Sequence, residues 1–525
     1  MLTHNELLRQ EWTRFRRPGR LISLVTAALM VLALGLLHAF GNHASCDGTC
    51  PADPTGPDGT AVSDQFAFMH RDLGREGSIT VRMTSMTGTI TYPPPHHDQI
   101  VPGLVPWAKA GIIVKGGVRQ GSSYAALMVT GEHGVRMQYD YGHDIAGSAV
   151  DGAAVSARSP RWLRLTRAGD TLTGYESSDG ERWVKVAAVK LSGLPETVQV
   201  GLFATSPGDL TLRPVGLGGA TEQVRFTQAA SSFDHIGLEG AAAGGSWRAA
   251  LVGEMNATDW EKHHQPSGAV EKDGTVTVTG TGDIAPVATS GGRPVEGMLT
   301  GLSLALLIVL VVAVRFAGDG SGRRQPGDGA PLTRAVFGAR AVVVGAAAFV
   351  TGLLAVGIVV PVGAAVLESN GVPVVGLSVL TGARVVVGVS AALALTAVLA
   401  LALGAALRRR LLAVLVAVTA VVVPYAVATV PLLSDGLAQW LLRVTPAAGF
   451  AVQQTLVEHH QVTAHYAPSA GYFPLPWWAG VAVLCAHTVA ATTLALRRLP
   501  RSGERAGAAA ADAVGEPVLE AADRT

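Results

Sequence analysis

The chain has 525 residues, of which 49% are hydrophobic and only 15% are charged. A soluble domain carries about a quarter charged residues, so this composition and a mean hydropathy of +0.34 indicate a membrane protein with an attached polar part. The 40 Lys and Arg against 39 Asp and Glu leave a net charge of +1, which argues against a nucleic-acid-binding protein. Three cysteines are too few for a disulfide-rich scaffold.

The apolar residues are gathered into runs that suit membrane helices. About 20 apolar residues cross the hydrocarbon core as a helix, because every backbone polar group must be paired inside lipid. Residues 371–382, which include Pro373, could extend a span or form a re-entrant segment. The runs predict six spans, at 21–40, 297–314, 341–366, 385–407, 411–433 and 477–496.

Arginines predict the orientation of these spans, since loops rich in Lys and Arg stay on the cytoplasmic side. Every second loop is rich in arginine: before the first span, between the second and third, between the fourth and fifth, and after the sixth. We therefore expect a multi-pass plasma membrane protein with both termini in the cytoplasm. Residues 41–296 would be extracellular and 499–525 a disordered cytoplasmic tail.

Residues 1–20 predict an amphipathic helix that lies on the cytoplasmic membrane surface. Leu8, Trp12 and Phe15 recur at helical spacing, and charged residues occupy the other faces. Pro18 and Gly19 then turn the chain into the first span.

The long segment 41–296 has the pattern of half-buried antiparallel strands. Apolar and polar residues alternate with period two, and turns such as Ala168-Gly169-Asp170 and Ser178-Asp179-Gly180 separate the runs. Many short strands in one block favour an all-β sandwich. The alternating apolar residues include Ile79, Val81, Met83, Val135, Met137, Tyr139, Tyr141, Leu163, Leu165, Val276 and Val278.

Five stretches within residues 61–236 have a distinctive sequence. They are Trp107-Ala-Lys-Ala-Gly-Ile-Ile-Val-Lys115, Tyr124-Ala-Ala-Leu-Met-Val-Thr130, Arg161-Trp-Leu-Arg-Leu-Thr166, Tyr175-Glu-Ser-Ser-Asp-Gly-Glu-Arg-Trp183 and Val198-Gln-Val-Gly-Leu-Phe203. On these stretches, residues 61–236 resemble a bacterial concanavalin/laminin-G-like sandwich. Such sandwiches host lectins, hydrolases and adhesion modules alike, so the resemblance implies a fold and leaves the ligand open.

Candidate chemical groups in the segment favour structural roles. Glu176 and Glu181 flank a turn, so we interpret them as outward polar residues rather than the paired carboxylates of a glycosidase. Cys46 and Cys50 could form a disulfide on the oxidising side. No strict metal-ligand spacing occurs, and we expect solvated loops at His96-His97, His263-His264 and Asp140, His143 and Asp144.

The membrane part has no nucleotide-binding loop of its own. The pattern Gly-x-x-x-x-Gly-Lys-[Ser/Thr] is absent, and no Asp, Glu or Lys lies in the middle of a span. The distinctive short stretches of the membrane part are Glu11-Trp-Thr-Arg-Phe-Arg16, Arg384-Val-Val-Val-Gly388, Leu401-Ala-Leu-Gly-Ala-Ala-Leu-Arg408 and Val444-Thr-Pro-Ala-Ala-Gly449. In these stretches and their order the membrane part resembles the permease subunits of type-2 ABC exporters.

The resemblance implies a non-enzymatic permease subunit that works with a separate cytoplasmic ATPase. ATP would bind to that partner, and this chain would hold no cofactor. Further expected partners are a second permease subunit, identical or different, membrane lipid, and a glycan or peptide on the sandwich. The alternative is a membrane-anchored lectin-like receptor or sensor without transport activity. The resemblance places the ATPase-docking candidates at Glu11, Trp12, Arg14, Thr333, Arg334 and Phe337.

Overall fold

The chain forms a β-sandwich-like domain and a helical part. We call the strands from Val62 to Pro286 and their connections the β-domain; the helices on either side of it in sequence form the helical part. The computed structural model describes residues 3–44, 53–148, 155–215, 219–241, 245–253, 259–287, 292–319, 332–372, 374, 376–407, 409–430 and 432–500.

Five helical stretches of the described chain have the length and hydropathy to cross a membrane, as suits a membrane protein. They are Pro18–Gly41, Arg334–Ser369, Val379–Ala406, Arg410–Thr429 and Trp477–Arg498. The helices are α1 (His4–Phe15), α2 (Pro18–Gly41), α3 (Asp259–His264, in the β-domain), α4 (Leu302–Ala317), α5 (Arg334–Ser369), α6 (Val379–Ala406), α7 (Arg410–Ala417), α8 (Val423–Thr429), α9 (Asp435–Val444) and α10 (Trp477–Arg498).

The prediction of six spans is not confirmed. The predicted span 297–314 falls on a 3-10 turn (Val295–Leu299) followed by α4, which is apolar but has only 16 residues. That length is below the roughly 20 residues that a straight crossing requires. The other five predicted spans each coincide with a long apolar helix.

Two helix boundaries differ from those predicted from the apolar runs, and local interactions explain both differences. Of the predicted segment 371–382, Val379 to Gly382 form the first turn of α6, and the described residues before Val379 are not helical. Ser378 caps α6 by accepting a hydrogen bond from the Thr381 N–H at 3.2 Å. The predicted span 411–433 ends at Thr429, and a π-helical turn (Val418–Val422) precedes Pro424, which has no N–H to donate.

The β-domain is built around two unusually long strands. β2 has 26 residues and β13 has 23. The strands are β1 (Val62–Asp64), β2 (Phe66–Thr91), β3 (Ile100–Pro102), β4 (Lys109–Lys115), β5 (Tyr124–Thr130), β6 (Val135–Tyr139), β7 (His143–Ala146), β8 (Arg161–Ala168), β9 (Thr171–Ser177), β10 (Val184–Lys190), β11 (Val198–Thr205), β12 (Asp209–Val215), β13 (Gly219–Ala241), β14 (Arg248–Val252), β15 (Gly268–Lys272), β16 (Thr275–Gly280) and β17 (Ile284–Pro286).

β2 joins the two layers of the sandwich. Its first third pairs with β11 and β14, and the rest pairs with β8 and β13. From β2 one run of strands continues through β8, β9 and β10, and another through β11, β4, β5, β6 and β7. The strands extend beyond residue 236, where the resemblance ended, because β16 pairs with β13.

The predicted alternation defines the main core between the layers. Ile79, Val81 and Met83 on β2 are fully buried, as are Leu163 and Leu165 on β8. These positions confirm the period-two pattern, because every second side chain of a strand faces the same side.

Tyr141 departs from this pattern. β6 ends at Tyr139, and Asp140 and Tyr141 follow with φ of 43° and 63°. The left-handed turn directs Tyr141 into a second apolar cluster, under the β1–β17 ribbon, where its ring lies 4.9 Å from that of Tyr124. Simple alternation cannot predict this position.

A buried ion pair crosses this second cluster. The Lys115 Nζ lies 2.7 Å from Asp64 Oδ2 and 3.0 Å from the Tyr141 hydroxyl, and both charged side chains are fully buried. The Tyr141 O–H and the Gly121 N–H also donate to Asp64 Oδ2, each at 2.8 Å. Burial lowers the pKa of Lys115, and Asp64 opposes that effect. The pair fixes β1 on the sheet.

Lys115→Ala should destabilise the β-domain strongly. The substitution leaves the Asp64 carboxylate buried without its cation, which costs about 3–5 kcal/mol. Chemical unfolding of the full chain, followed by tryptophan fluorescence, measures the change. Lys190→Ala, at an exposed position on β10, is the control and should change stability by under about 0.5 kcal/mol. Equal stability of the two variants would contradict this account.

Candidate functional site

The candidate site lies at the arginine-rich end of the helical part, where α1 meets α5 and the end of α4. α1 begins with a reciprocal cap. The Glu6 N–H donates to the Thr3 hydroxyl at 3.3 Å, and the Thr3 N–H donates to the Glu6 carboxylate at 2.8 Å. These hydrogen bonds hold the pKa of Glu6 below its ordinary value. The start of α1 is therefore fixed by its own sequence.

One face of α1 packs against the rest of the chain. Phe15 is fully buried, and its ring meets the ring of Phe316 edge-on at 5.1 Å. Glu11, one turn earlier on the same face, is also fully buried. Trp12, which belongs to the stripe predicted to lie on the membrane surface, lies outside this buried face and is 47% exposed.

Arg340 holds this arrangement together. Its side chain is 2% exposed, and its Nε donates to Glu11 Oε2 at 2.9 Å. Its Nη1 donates to the carbonyl oxygens of Phe316, Ala317 and Asp319, at 2.9, 3.2 and 3.0 Å. The guanidinium thus caps the carbonyl end of α4, where a cation is favourable.

Other arginines at this end also cap helices or close ion pairs. Arg498 donates to the Ala406 carbonyl oxygen at 2.7 Å, at the end of α6. Arg410 donates to the Gly318 carbonyl oxygen, and Arg20 pairs with Asp319. Arg14 pairs with Glu11 at 2.6 Å. The cluster of cations that predicted orientation therefore also stabilises the helix ends.

The six predicted docking residues lie on or next to two helices that pack together, α1 and α5. Glu11 and Phe337 are buried within the chain. Thr333 caps α5 through the Val336 N–H at 3.4 Å, and Arg334 donates to the Leu499 carbonyl oxygen at 3.2 Å. Trp12 remains exposed and Arg14 partly exposed. The exposed surface around Trp12 includes Arg9 and Thr13 on α1 and Arg16, the residue that follows the helix.

Arg340 and Arg20 were not among the predicted site residues. In the sequence, each is an arginine at the edge of an apolar run. Such an arginine predicts that this end of the span faces the cytoplasm, but it does not indicate which residue the arginine pairs with. Glu11 and Arg340 are 329 positions apart. No local spacing reveals such a pair.

The two carboxylates considered for catalysis, Glu176 and Glu181, have different surroundings. Glu181 is exposed, but Glu176 is buried and accepts hydrogen bonds from the Ser148 N–H at 2.6 Å and its hydroxyl at 2.9 Å. The expectation that both point outward is therefore wrong for Glu176. It fixes the neighbouring loop, because a buried carboxylate needs donors.

The histidine and aspartate groups do not converge into a metal site. No group of three or more His, Cys, Asp or Glu that could hold a metal occurs in the described ranges. His97 pairs with Glu261 at 2.6 Å, and His264 stacks on Trp260 at 4.2 Å. Cys46 and Cys50 lie outside the described residues, as do residues 501–525 of the predicted tail.

Comparisons with known proteins identify no family. No family model matches the chain, and no curated protein matches it. A functionally unknown protein from Saccharomyces cerevisiae is 17% identical, with a TM-score of 0.23 over 37% of this chain and 85% of that chain. Scytalido-glutamic peptidase, solved with a transition state analog inhibitor, is 9% identical, with a TM-score of 0.25 over 43% and 100%. Lectin I-B4 from Griffonia simplicifolia, in its metal-free form, is 12% identical, with a TM-score of 0.17 over 40% and 90%.

Arg340→Ala should release α1 from α4 and α5. The substitution removes the cap of α4 and leaves Glu11 with Arg14 alone, at a cost of about 3 kcal/mol. Hydrogen exchange of the α1 amides in the full chain should then accelerate about a hundredfold. Arg315→Ala, an exposed arginine in the last turn of α4, is the control. Slow exchange in both variants would contradict the assigned role.

Proposed function

We propose that this chain is the membrane-spanning permease subunit of an ABC transporter of the type-2 exporter class. The observation that supports the proposal best is the packing of α1 on the first turns of α5, which presents Trp12 and Arg16 on one outward surface. A tryptophan beside arginines is a typical anchor of protein interfaces. We assign this surface to the cytoplasmic ATPase, which would bind and hydrolyse ATP.

The proposed topology follows from the arginines. The helix ends that carry Arg20, Arg340, Arg410 and Arg498 would face the cytoplasm, as would both termini. The β-domain would then lie outside the plasma membrane, within the predicted extracellular segment 41–296, and bind a glycan or peptide. A second permease subunit would complete the path for the substrate, and the exposed apolar helix faces would contact lipid.

The contacts among α1, α4 and α5 are compatible with transport by conformational change. A rigid contact between α1 and α5 would let force on α1 reach α4 and α5 together, because Arg340 joins all three. ATP binding by the partner would draw the cytoplasmic helix ends together and switch the path between the two permease subunits. The chain itself would remain non-enzymatic and hold no cofactor.

The test is purification of the tagged full chain from its native membrane in mild detergent. We expect an ATPase subunit to accompany it and the preparation to hydrolyse ATP in a vanadate-sensitive manner. Absence of both would overturn the proposal. It would favour the alternative, a membrane-anchored lectin-like receptor or sensor without transport activity, particularly if the chain bound glycans.

The double substitution Trp12→Ala with Arg16→Ala should lower the recovered ATPase at least tenfold, since loss of a central aromatic anchor costs about 2 kcal/mol or more. Mass spectrometry of the purified complex measures the ratio of the two subunits. Trp478→Ala is the matched control. Trp478 is 62% exposed and lies in the first turn of α10, at the end of this helix away from Arg498. Equal loss in the control would show that the effect is not specific to the α1 surface.

A further inference from the structure

One outward face of the β-domain carries cations and an aromatic ring in a line across three strands. Side chains on β8 and β9 that alternate with the buried ones point away from the main core. Among them, Arg164 on β8 lies opposite Tyr175 on β9, and Tyr175 lies opposite Lys185 on β10. We call Arg164, Tyr175 and Lys185 the row. Arg164 and Tyr175 are partly exposed, and Lys185 is exposed.

Two neighbours hold the Arg164 side chain in place. Its Nε donates to the Thr80 hydroxyl at 2.9 Å, and its guanidinium carbon lies 4.0 Å from the centre of the Trp183 ring. A guanidinium is attracted to the face of an indole ring, and the contact fixes the plane of its fork of donors. In the described part of the chain, no acceptor takes a hydrogen bond from the two terminal nitrogens of Arg164.

Neither cation of the row forms an ion pair with a carboxylate of the described residues. The neighbouring Arg82 differs in this respect, because it donates to both carboxylate oxygens of Asp234, at 2.7 and 2.6 Å. Neighbouring strands lie about 4.8 Å apart, so the backbone positions of Arg164 and Lys185 are about 10 Å apart, with Tyr175 between them. The row is therefore complementary to an anion that also has an apolar face.

Two tryptophans extend the apolar part of this face towards the turn between β9 and β10. Trp162 lies opposite Ser177 in the adjacent row, and Trp183 immediately precedes β10. A Cβ at Gly180, where φ is 79°, would lie only 2.8 Å from the Trp162 ring. The ring can therefore lie directly on the turn because this position is glycine.

An acidic sugar matches this combination of groups. The C–H face of a pyranose ring stacks on an aromatic ring, whose π face is electron-rich. A uronic acid carries its carboxylate directly on the pyranose ring, so stacking on Tyr175 brings that carboxylate within reach of the flanking cations. The fork of an arginine binds a carboxylate through two parallel hydrogen bonds.

An extended acidic peptide fits this face less well. Peptides commonly bind to a sheet by adding a strand at an exposed edge, where backbone groups are unpaired. β8 pairs with β2 and β9, and β9 pairs with β8 and β10, so both strands are paired along both edges. The part of the row on these two strands therefore offers side chains and no free backbone edge.

We propose that the row is a binding site for the uronic acid units of an acidic glycan. The sugar ring stacks on Tyr175, its carboxylate accepts hydrogen bonds from the terminal nitrogens of Arg164, and Lys185 attracts the next carboxylate along the glycan. Thr80 and Trp183 position Arg164. The inference deepens the ligand-binding role proposed for the β-domain and rests on that part of the proposed function, but it does not depend on an ATPase.

The test is calorimetric titration of the full chain in lipid nanodiscs with hexamers of galacturonic acid and of mannuronic acid. A neutral glucose hexamer and a glutamate hexapeptide are the comparison compounds. We expect at least one uronate hexamer to bind about tenfold or more tightly than either comparison compound, with an affinity that falls as the salt concentration rises.

Three results would contradict the proposal. Absence of binding by both uronates would exclude the site, and equal binding of the glucose hexamer would show that charge is not recognised. Equal binding of the glutamate hexapeptide would assign the face to an acidic peptide instead.

Variants locate the binding site on the row. Tyr175→Ala and Arg164→Gln should each weaken uronate binding about tenfold or more, because each removes a direct contact. Tyr175→Phe keeps the ring and should bind more tightly than Tyr175→Ala. Arg164→Lys keeps the charge without the fork, so its affinity should lie between those of the native chain and Arg164→Gln.

A matched pair of lysine variants separates the row from general surface charge. Lys185→Ala should weaken binding, whereas Lys272→Ala, an exposed lysine on β15, should bind as the native chain does. Equal effects of these two substitutions, or native affinity in both Tyr175→Ala and Arg164→Gln, would overturn the assigned site.

Two further measurements keep the possible failures distinct. Unchanged hydrogen exchange of the core strand 109–115 shows that a variant is folded; if Arg164→Gln is not, Tyr175→Ala decides the matter. A chain that binds no uronate but purifies with an ATPase would refute the glycan site and leave the permease proposal intact. Uronate binding without an accompanying ATPase or ATP hydrolysis would refute the permease proposal and leave the site intact.

Discussion

The buried guanidinium of Arg340 is the contact on which the arrangement of the helical part depends. A buried charge needs an opposite charge and hydrogen bonds to be stable, and Arg340 obtains them from two separate segments. Glu11 supplies the carboxylate from α1, and the end of α4 supplies the carbonyls. Because a guanidinium has a rigid fork of donors, both partners must take defined positions. The position of α1, and so of its exposed surface, follows from this constraint.

The β-domain uses the same device at a different place. The Lys115 ammonium donates to Asp64 on β1 and to the Tyr141 hydroxyl, just as the Arg340 guanidinium donates to Glu11. In each case a buried cation joins two segments that are far apart in the sequence, and one of these segments, β1, has only three residues. A hydrogen-bonded ion pair requires its donors and acceptors to be aligned, whereas an apolar contact is less directional.

Patterns with a short period were predicted well, and pairings distant in sequence were not. The alternation at Ile79, Val81 and Met83 and the long apolar helices follow from side-chain direction and length alone. The burial of Glu11 on α1, in contrast, depends on Arg340 far along the chain. Glu176 turned inward for a similar reason, since its donors come from Ser148 on a separate loop.

The β-domain is attached to the helical part by more than its two chain connections. Three side chains of the loop between α9 and α10 contact it: Gln461 donates to the carbonyl oxygens of Tyr141 and Gly142, His460 lies 2.9 Å from Asp144 Oδ2, and His465 lies 3.4 Å from Glu222 Oε1. At the far end of α10, Arg498 caps α6. The β-domain and the arginine-rich helix ends are therefore held by separate sets of polar contacts, each between residues distant in sequence.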